Sequence, residues 1–199
     1  MRVAVVGHVE WIELVRVEHV PAPGEIVHAL EVWEEAAGGG AVAAVQLARL
    51  VGECLFLTAL GGDELGRRAK RRLEALGVRV EAAWRPQAQR RAIVHVDAHA
   101  ERTITVIGAR DAPRGDDELP WAELEGLDAL YLTAGDPAAV RAARAARKLV
   151  ATVRAGKPLA KAGVQLDALV LSAKDEGERY EAGEIDPPPL LVARTAGAA

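Results

Sequence analysis

Several residue types are scarce in this sequence, and each scarcity narrows what the protein can be. The 199 residues include one cysteine, Cys54, which stands in an apolar run typical of a core position. A single cysteine excludes disulfides within the chain and favours a reducing, cytoplasmic location. Long apolar runs are also lacking. The first one stops at Gly7, too early for a signal-peptide core or a membrane span.

Positive charge is not in excess. The chain has 25 Lys and Arg against 29 Asp and Glu, a net charge of -4, and only 4% of its residues are aromatic. Such a chain has no general attraction to nucleic acid or to an anionic membrane, so we expect neither as a partner. Half of the residues are apolar, which is enough to bury the core of a globular domain.

Apolar segments alternate with helical ones along most of the chain. Continuous apolar runs, typical of strands buried on both faces of a parallel sheet, occur at residues 2–6, 55–59, 129–133, 168–171 and 190–193. Helical patterns occur at residues 41–50, 64–76 and 136–149, and Asp136 followed by Pro137 predicts an N-cap for the last of them. This order predicts an α/β fold with a mostly parallel sheet and helices on both faces.

Four other segments have the alternating pattern of half-exposed strands. They are residues 12–18 and 25–33, joined by a Pro-Gly turn, and residues 92–97 and 102–107, which predict a hairpin. We expect them to form a small second sheet within a single domain of residues 1–199. In the hairpin, His95, Asp97 and His99 have the spacing of a metal site, but the polar face of a half-exposed strand entering a hairpin is the favoured explanation.

A glycine loop, Gly38-Gly39-Gly40, runs directly into the helix at residues 41–50. It lacks the Lys-Ser/Thr of a Walker loop, and it does not follow the first strand as a Rossmann loop does. Glycines at a helix N-terminus let backbone N–H groups approach a ligand closely. A tight turn between a strand and a helix is the alternative, and the residues alone do not separate the two.

The order of these motifs resembles that of the ribokinase-like (PfkB) carbohydrate kinase family. It comprises a first strand ending in glycine, the P-A-P-G-E turn, the glycine loop, A-L-G-G-D-E-L-G at residues 59–66 and L-G-V at residues 76–78. The resemblance implies a three-layer α/β/α sandwich with a small β-sheet lid at about 12–33 and 92–107. It also implies ATP and Mg²⁺ as cofactors and transfer of a phosphoryl group to a hydroxyl of a sugar, nucleoside or related small molecule.

The resemblance assigns the acceptor-substrate site to the glycine loop, Gly38, Gly39 and Gly40. Two polar residues expected beside it are replaced. The sugar-binding Asn of the family falls at about Ala43, and its early Asp falls on Ile12. A shift of register by one or two residues would bring Glu10 or Glu13 into the place of that Asp, and we take Glu10 as the candidate.

The nucleotide side is implied by two further matches. The family's N-x-x-E stretch, which organises Mg²⁺-bound water and phosphate, falls on Ser172-Ala-Lys-Asp175, with Asp175 as the metal candidate. A simple cap at the start of a loop is an equally good explanation. The R-T-A-G stretch gives Arg194, Thr195 and Gly197 as nucleotide-binding candidates in a turn after the last strand.

No catalytic residue is assigned. The family's general base is the Asp of D-T-x-G-A-G-D, and the 199 residues contain no match to it. We therefore expect a relative that lacks its C-terminal catalytic segment. The function is then that of a carbohydrate kinase missing this segment, or that of a non-catalytic relative that binds a small molecule. Exposed lid strands also predict a homodimer through the lid sheet.

Overall fold

The protein is described by a computed structural model of residues 1–196. Its central sheet has seven strands in the order β11-β10-β9-β8-β1-β4-β5, and every neighbouring pair is parallel. The strands are β1 (Val3–Val6), β4 (Cys54–Gly61), β5 (Val78–Arg85), β8 (Ala129–Leu132), β9 (Leu149–Thr152), β10 (Ala168–Ser172) and β11 (Val192–Thr195). The predicted parallel sheet is confirmed, with β5 and β9 as additional strands that the sequence pattern did not indicate.

A second sheet of four strands has the order β3-β2-β6-β7. The strands are β2 (Glu10–Arg16), β3 (Glu31–Ala37), β6 (Arg91–Val96) and β7 (Arg102–Ile107). The predicted hairpin of β6 and β7 is antiparallel, whereas β2 and β6 are parallel. We refer to this sheet as the lid sheet.

The expected strand at residues 25–33 is wrong over its first half, because β3 begins only at Glu31. Residues 25–30 instead follow a turn that Glu25 holds. Its carboxylate accepts hydrogen bonds from the Ala22 N–H at 2.9 Å and contacts His19 Nε2 at 2.7 Å. The alternating apolar and polar residues there lie in an exposed loop. The apolar side chains therefore do not form one buried face as they would in a strand.

The helices are α1 (Gly39–Val51), α2 (Glu64–Ala75), α3 (Pro137–Ala143) and α4 (Lys157–Ala162). The predicted cap of α3 is confirmed, since Asp136 Oδ1 accepts from the Ala139 N–H at 2.8 Å. Its predicted extent to residue 149 is wrong. Arg144 closes a turn by donating to the carbonyl oxygens of Ala146 and Arg147, and the chain then enters β9.

Two apolar clusters lie on opposite faces of the central sheet. Alternate residues of β1 belong to different clusters: Val3 and Val5 pack with residues of α1 and α2, and Ala4 and Val6 pack with residues of α3 and α4. This alternation is what a strand buried on both faces requires, and it confirms the three-layer α/β/α sandwich. No helix in the part of the chain that the structure describes is long and apolar enough to cross a membrane.

Candidate functional site

The candidate site lies where the order of strands reverses. From β1 the chain proceeds to β4 and β5 on one side, then returns to β8 on the other side of β1. In open parallel sheets, ligands bind outside the carboxyl ends of the strands at such a switch point. His8 directly follows Gly7 at this end of β1, and Thr133 directly follows β8.

The glycine loop packs against the same strand ends. A Cβ atom added at Gly40 would lie 2.8 Å from the carbonyl oxygen of His8 and 2.9 Å from the carbonyl carbon of Gly7. A Cβ added at Gly7 would lie 2.1 Å from Thr133 Oγ1. Only glycine allows the N-terminus of α1 to approach β1 and β8 this closely, and Gly38 also has a positive φ of 89°.

The N-terminus of α1 is not occupied by a side chain. Gly38 makes no side-chain cap, and the first turn of the helix contains no acidic residue. The first N–H groups of the helix therefore lack capping partners from side chains, and the helix dipole adds partial positive charge there. This is the end of α1 to which the family resemblance assigns an acceptor substrate.

Charged side chains surround His8. Arg110 Nη2 lies 3.2 Å from His8 Nδ1, and Glu10 Oε1 lies 3.7 Å from His8 Nε2. The same Glu10 oxygen lies 2.7 Å from Arg90 Nε. Gly38 and Gly39 lie beside the His8 ring. A Cβ added at Gly38 would lie 3.2 Å from a ring atom, and one added at Gly39 would lie 3.5 Å from another. We name His8, Glu10, Arg90 and Arg110 the acceptor-side cluster.

His8 is neutral in this cluster. Burial, followed by the charges of Arg110 and Arg90, lowers its pKa to about 3. Since Arg110 can only donate, we assign His8 Nδ1 as the acceptor and place the ring hydrogen on Nε2, which points toward Glu10. Burial also lowers the pKa of Arg110, and the nearby charge of Arg90 acts in the same direction.

The structure places Glu10 in the site and leaves Glu13 out of it. Glu10 lies at the start of β2, and its N–H would be 3.1 Å from a Cβ at Gly38. Glu13 is an odd number of residues away and so points to the other face of β2. Ile12 and Ala43, which occupy the family's polar positions, offer no side-chain hydrogen bond. The role of Glu10 in binding an acceptor stays a prediction.

A second charged group lies further along the same sheet edge, after β9 and β10. Arg154 forms ion pairs with both Asp175 and Glu178. Glu178 Oε2 also accepts from the Ser172 N–H at 2.6 Å, and Asp175 Oδ1 accepts from the Gly177 N–H at 2.8 Å. We name Arg154, Ser172, Asp175 and Glu178 the nucleotide-side cluster.

Three of the predicted nucleotide-binding residues line one pocket. Ser172, Asp175 and Arg194 line a single surface pocket with Glu178 and Arg179. Thr195 lies at the end of β11, where its hydroxyl donates to the Leu171 carbonyl oxygen at 3.4 Å. Gly197 lies outside the described residues. Whether these residues bind a nucleotide stays a prediction.

The two clusters adjoin through Arg110, whose Nη1 lies 3.5 Å from the carbonyl oxygen of Arg154. An acceptor bound on the first and a phosphate donor bound on the second would therefore be neighbours. Such proximity is the main requirement of phosphoryl transfer, in which positioning and charge neutralisation supply most of the catalysis.

No group of three or more His, Cys, Asp or Glu side chains within residues 1–196 could hold a metal ion. The hairpin residue Asp97 has a turn role instead, since its Oδ1 accepts from the N–H groups of His99 and Glu101. Asp175 and Glu178 nevertheless fit Mg²⁺, which proteins usually hold through one or two carboxylates together with substrate phosphates.

Sequence reasoning missed four residues of these clusters: His8, Arg90, Arg110 and Glu178. His8 carried a usable signal, because it follows a buried strand and a glycine. Arg90 and Arg110 flank the lid hairpin at residues 91–107, and only the return of both hairpin ends to β1 brings them together. Glu178 is three residues beyond the motif position and reaches it through a loop.

Comparison with known proteins gives a family match over most of the chain. The family model described as pfkB family carbohydrate kinase matches residues 1–176. The chain is 28% identical over 158 residues to the ATP-dependent ribose-1-phosphate kinase of Halopiger xanaduensis. That match covers 77% of this chain and 53% of the relative, so the chain spans about half the length of the curated relative it matches.

Solved structures agree on the fold. The ribokinase of Thermotoga maritima superposes with a TM-score of 0.71 at 21% identity, over 87% of this chain and 60% of that one. The ribokinase of Arabidopsis thaliana, solved with ribose and ATP, superposes with a TM-score of 0.63 at 19% identity, over 86% of this chain and 60% of that one. The ribokinase-like fold with its lid sheet is thereby confirmed.

Proposed function

Because the chain belongs to the pfkB family of carbohydrate kinases, we propose that it serves ATP-dependent phosphoryl transfer to a hydroxyl of a sugar, nucleoside or related small molecule. The observation that carries the proposal is the open N-terminus of α1, packed by glycines against the ends of β1 and β8 under the lid sheet. The named relatives act on ribose 1-phosphate or were solved with ribose and ATP, which supports a sugar as the acceptor.

On the acceptor side, we assign the backbone N–H groups of Gly38, Gly39 and Gly40 to the substrate hydroxyls. Glu10 is the carboxylate of the acceptor-side cluster, and as a hydrogen-bond acceptor it would hold a substrate hydroxyl in a fixed orientation. Its contact with Arg90 Nε, at 2.7 Å, restricts its movement. Burial of the lid-facing surface would exclude water from the transfer.

On the donor side, we assign Ser172, Asp175, Arg194 and Thr195 to ATP and its Mg²⁺ ion. Bound Mg²⁺ would neutralise phosphate charge, with Asp175 as the first carboxylate and Glu178 as the second. Asp175 is already paired with Arg154, so it would exchange one cation for another. Arg194 lies on β11 beside Leu171 and faces the same pocket.

A non-catalytic, ligand-binding relative is the second candidate function. It is favoured by Ile12 and Ala43, whose side chains cannot hydrogen-bond a sugar. We also propose a reducing, cytoplasmic location, because Cys54 is free and buried, and a homodimer through the lid sheet.

The experiment that tests the proposal measures binding before turnover. Isothermal titration of the 199-residue protein with Mg²⁺-ATP, and separately with a panel of sugars and nucleosides, should show one nucleotide site and one acceptor site. Binding of neither class would contradict the proposal. Reading the coding frame beyond Ala199 separates the two functions: a frame continuing to Gly-Ala-Gly-Asp supports the kinase, and a stop codon supports the binding protein.

A further inference from the structure

Gln89 is a buried amide at the point where the lid sheet joins the central sheet. It is 5% exposed and stands two residues before β6, next to Arg90 of the acceptor-side cluster. Its Oε1 accepts from the Gly61 N–H at 3.0 Å, and its Nε2 donates to the Val9 carbonyl oxygen at 2.9 Å. One side chain therefore joins the end of β4, the segment between β1 and β2, and the start of β6.

The two hydrogen bonds require an amide side chain. An N–H can only donate and a carbonyl oxygen can only accept, so position 89 must supply one acceptor and one donor in a fixed order. This requirement also fixes which end of the Gln89 amide is the oxygen. Space is equally restricted, because a Cβ added at Gly61 would lie 2.2 Å from the Gln89 backbone nitrogen. Asp63 Oδ2 accepts from that nitrogen at 3.1 Å, so the backbone and the side chain of Gln89 are both held.

Gln89 and its partner Val9 stand next to the ion pair of the acceptor-side cluster. Val9 directly precedes Glu10, and Gln89 directly precedes Arg90. Glu10 Oε1 lies 2.7 Å from Arg90 Nε. On the other side of this pair, the Trp11 N–H donates to the Arg90 carbonyl oxygen at 2.9 Å. The two chain segments that carry the ion pair are thus joined before it by Gln89 and after it by a backbone hydrogen bond.

The Glu10 carboxylate depends on this junction for its orientation. Within residues 1–196 it contacts two side chains, His8 and Arg90, and accepts no hydrogen bond from a backbone N–H. Its place is therefore set by the backbone to which it is attached and by the backbone that carries Arg90. Loss of the Gln89 bridge would let these two segments shift relative to each other, and two buried backbone groups would lose a partner.

We propose that Gln89 is a positioning residue of the acceptor site, which acts on a bound sugar through Glu10. Its bridge holds the chain beside the ion pair, so that Glu10 meets a substrate hydroxyl in one orientation. Gln89 does not touch the ligand, because both polar atoms of its side chain are used within the protein. The proposal rests on the proposed function, since that function gives Glu10 its role.

The first test needs no ligand. Gln89→Met keeps a side chain of similar length and removes both hydrogen bonds. Amide hydrogen exchange is compared at Trp11, which bonds to the Arg90 carbonyl oxygen, and at Leu169, which bonds to Leu191 at the far edge of the central sheet. We expect exchange at Trp11 to accelerate at least about tenfold more than at Leu169, because the junction opens locally. Equal acceleration at both amides would assign Gln89 to global stability alone and overturn the proposal.

The second test measures whether Gln89 acts through Glu10. D-ribose is titrated into the unaltered protein, Gln89→Met, Glu10→Ala and the double variant. Glu10→Ala should weaken binding by about ten- to hundredfold, the usual effect of losing a hydrogen bond to a charged group, and Gln89→Met by about tenfold. The double variant should bind within about threefold of Glu10→Ala, because no carboxylate is left to misplace. Losses that multiply would show two independent effects and refute the proposal.

The matched control is Gln165→Met, which removes another amide bridge to the backbone, from Gln165 Nε2 to the Pro188 carbonyl oxygen at 2.6 Å. It should lower the unfolding temperature but leave D-ribose binding within about twofold, as Gln89→Met should leave Mg²⁺-ATP binding. If Gln89→Met does not fold, Gln89→Asn replaces it. Its amide is one methylene shorter, and we expect smaller losses with the same dependence on Glu10.

The results separate this proposal from the proposed function. Weaker D-ribose binding in Glu10→Ala but not in Gln89→Met would overturn the proposal alone. Unchanged binding in Glu10→Ala would contradict the assigned role of Glu10 and the proposal with it. If the unaltered protein binds no D-ribose, that contradicts the proposed sugar site, and the exchange comparison decides whether Gln89 holds the junction.

Discussion

The two charged clusters along the carboxyl edge of the central sheet use the same residue types but are neutralised differently. On the nucleotide side, one guanidinium, Arg154, meets two carboxylates, Asp175 and Glu178. On the acceptor side, two guanidinium groups, Arg90 and Arg110, share one carboxylate, Glu10. The first cluster therefore carries an excess of negative charge, and the second an excess of positive charge.

This difference indicates what each cluster would gain from a ligand. The acidic cluster suits a cation, and the basic one suits an anion. The contact of Arg110 Nη1 with the Arg154 carbonyl oxygen, at 3.5 Å, places the two clusters next to each other. Four changes to the protein would break or sharpen this comparison.

The largest effect is expected from Gly40→Ala, which acts on the packing beneath the acceptor side. The new Cβ would lie 2.8 Å from the His8 carbonyl oxygen and 2.9 Å from the His8 nitrogen and the Gly7 carbonyl carbon. These neighbours are backbone atoms and cannot turn away. We expect a loss of about 1–3 kcal/mol in the free energy of unfolding, measured by urea denaturation, together with loss of sugar binding.

The control for this change is Gln46→Ala, on the exposed face of the same helix. It should leave stability within about 0.5 kcal/mol and sugar binding unaltered. Mg²⁺-ATP binding should survive Gly40→Ala, because the nucleotide-side cluster is built on the segments at and after the ends of β9 and β10. Equal loss of both ligands would show that the two clusters are not independent.

The next largest effect is a pH dependence of the free energy of unfolding that arises from His8. Its ring faces Glu10, Arg90 and Arg110. Because the folded pKa is lowered from 6.5 to about 3, unfolding at acidic pH takes up a proton. This contribution to stability is present above pH 6.5 and is lost progressively as the pH falls toward 3. At pH 5 the loss amounts to as much as about 2 kcal/mol.

His8→Gln removes this titration while keeping an acceptor for Arg110. The fall in the free energy of unfolding between pH 7 and pH 5 should therefore be smaller in the variant by up to about 2 kcal/mol. His28→Gln, an exposed position in the loop before β3, is the matched control and should follow the unaltered protein. Identical pH curves for all three proteins would mean that His8 is not held neutral.

Much of the fold follows from local pattern. The buried runs predicted β1, β4, β8 and β10, because strands covered on both faces must be apolar at every position. The cap at Asp136 was also readable. The end of α3 could not be predicted, because the apolar and charged residues at 144–149 continue the spacing of a helix. The turn depends on Arg144 reaching Asp167, which is distant in the sequence.

The backbone geometry of the site could be predicted from the sequence, but its charge pairs could not. Gly38, Gly39 and Gly40 predicted that the start of α1 packs closely against another segment, and in the structure that segment is Gly7 and His8. The pairing of Arg90 with Glu10, eighty residues apart, and of Arg110 with His8, 102 residues apart, depends on where the lid hairpin rejoins the sheet. The spacing of residues within a single strand or helix cannot predict contacts between residues so far apart in the sequence.

A third change tests which carboxylate of the nucleotide-side cluster binds Mg²⁺. Asp175→Asn removes the more exposed charge, 40% against 14% for Glu178, and should weaken Mg²⁺-dependent ATP binding at least about tenfold. Glu178→Gln should act mainly on stability, because its carboxylate accepts from the Ser172 N–H within the fold. Titration of each variant with ATP, with and without Mg²⁺, measures the difference. The reverse order would move the metal assignment to Glu178.

The smallest effect on stability is expected from a change in the lid sheet. This change tests whether the lid sheet joins two copies of the chain. Trp33 and Ile104 are 41% and 52% exposed, and strand pairing through Leu14 and Val94 places them on one face. If that face joins two copies, Ile104→Lys should convert a dimer to a monomer in sedimentation velocity, with unfolding changed by less than about 0.5 kcal/mol. Thr105→Lys, on the opposite face of the same strand, should remain dimeric. A monomeric unaltered protein at micromolar concentration would contradict the dimer, and the acceptor-side cluster would then have to bind its ligand without cover from a partner.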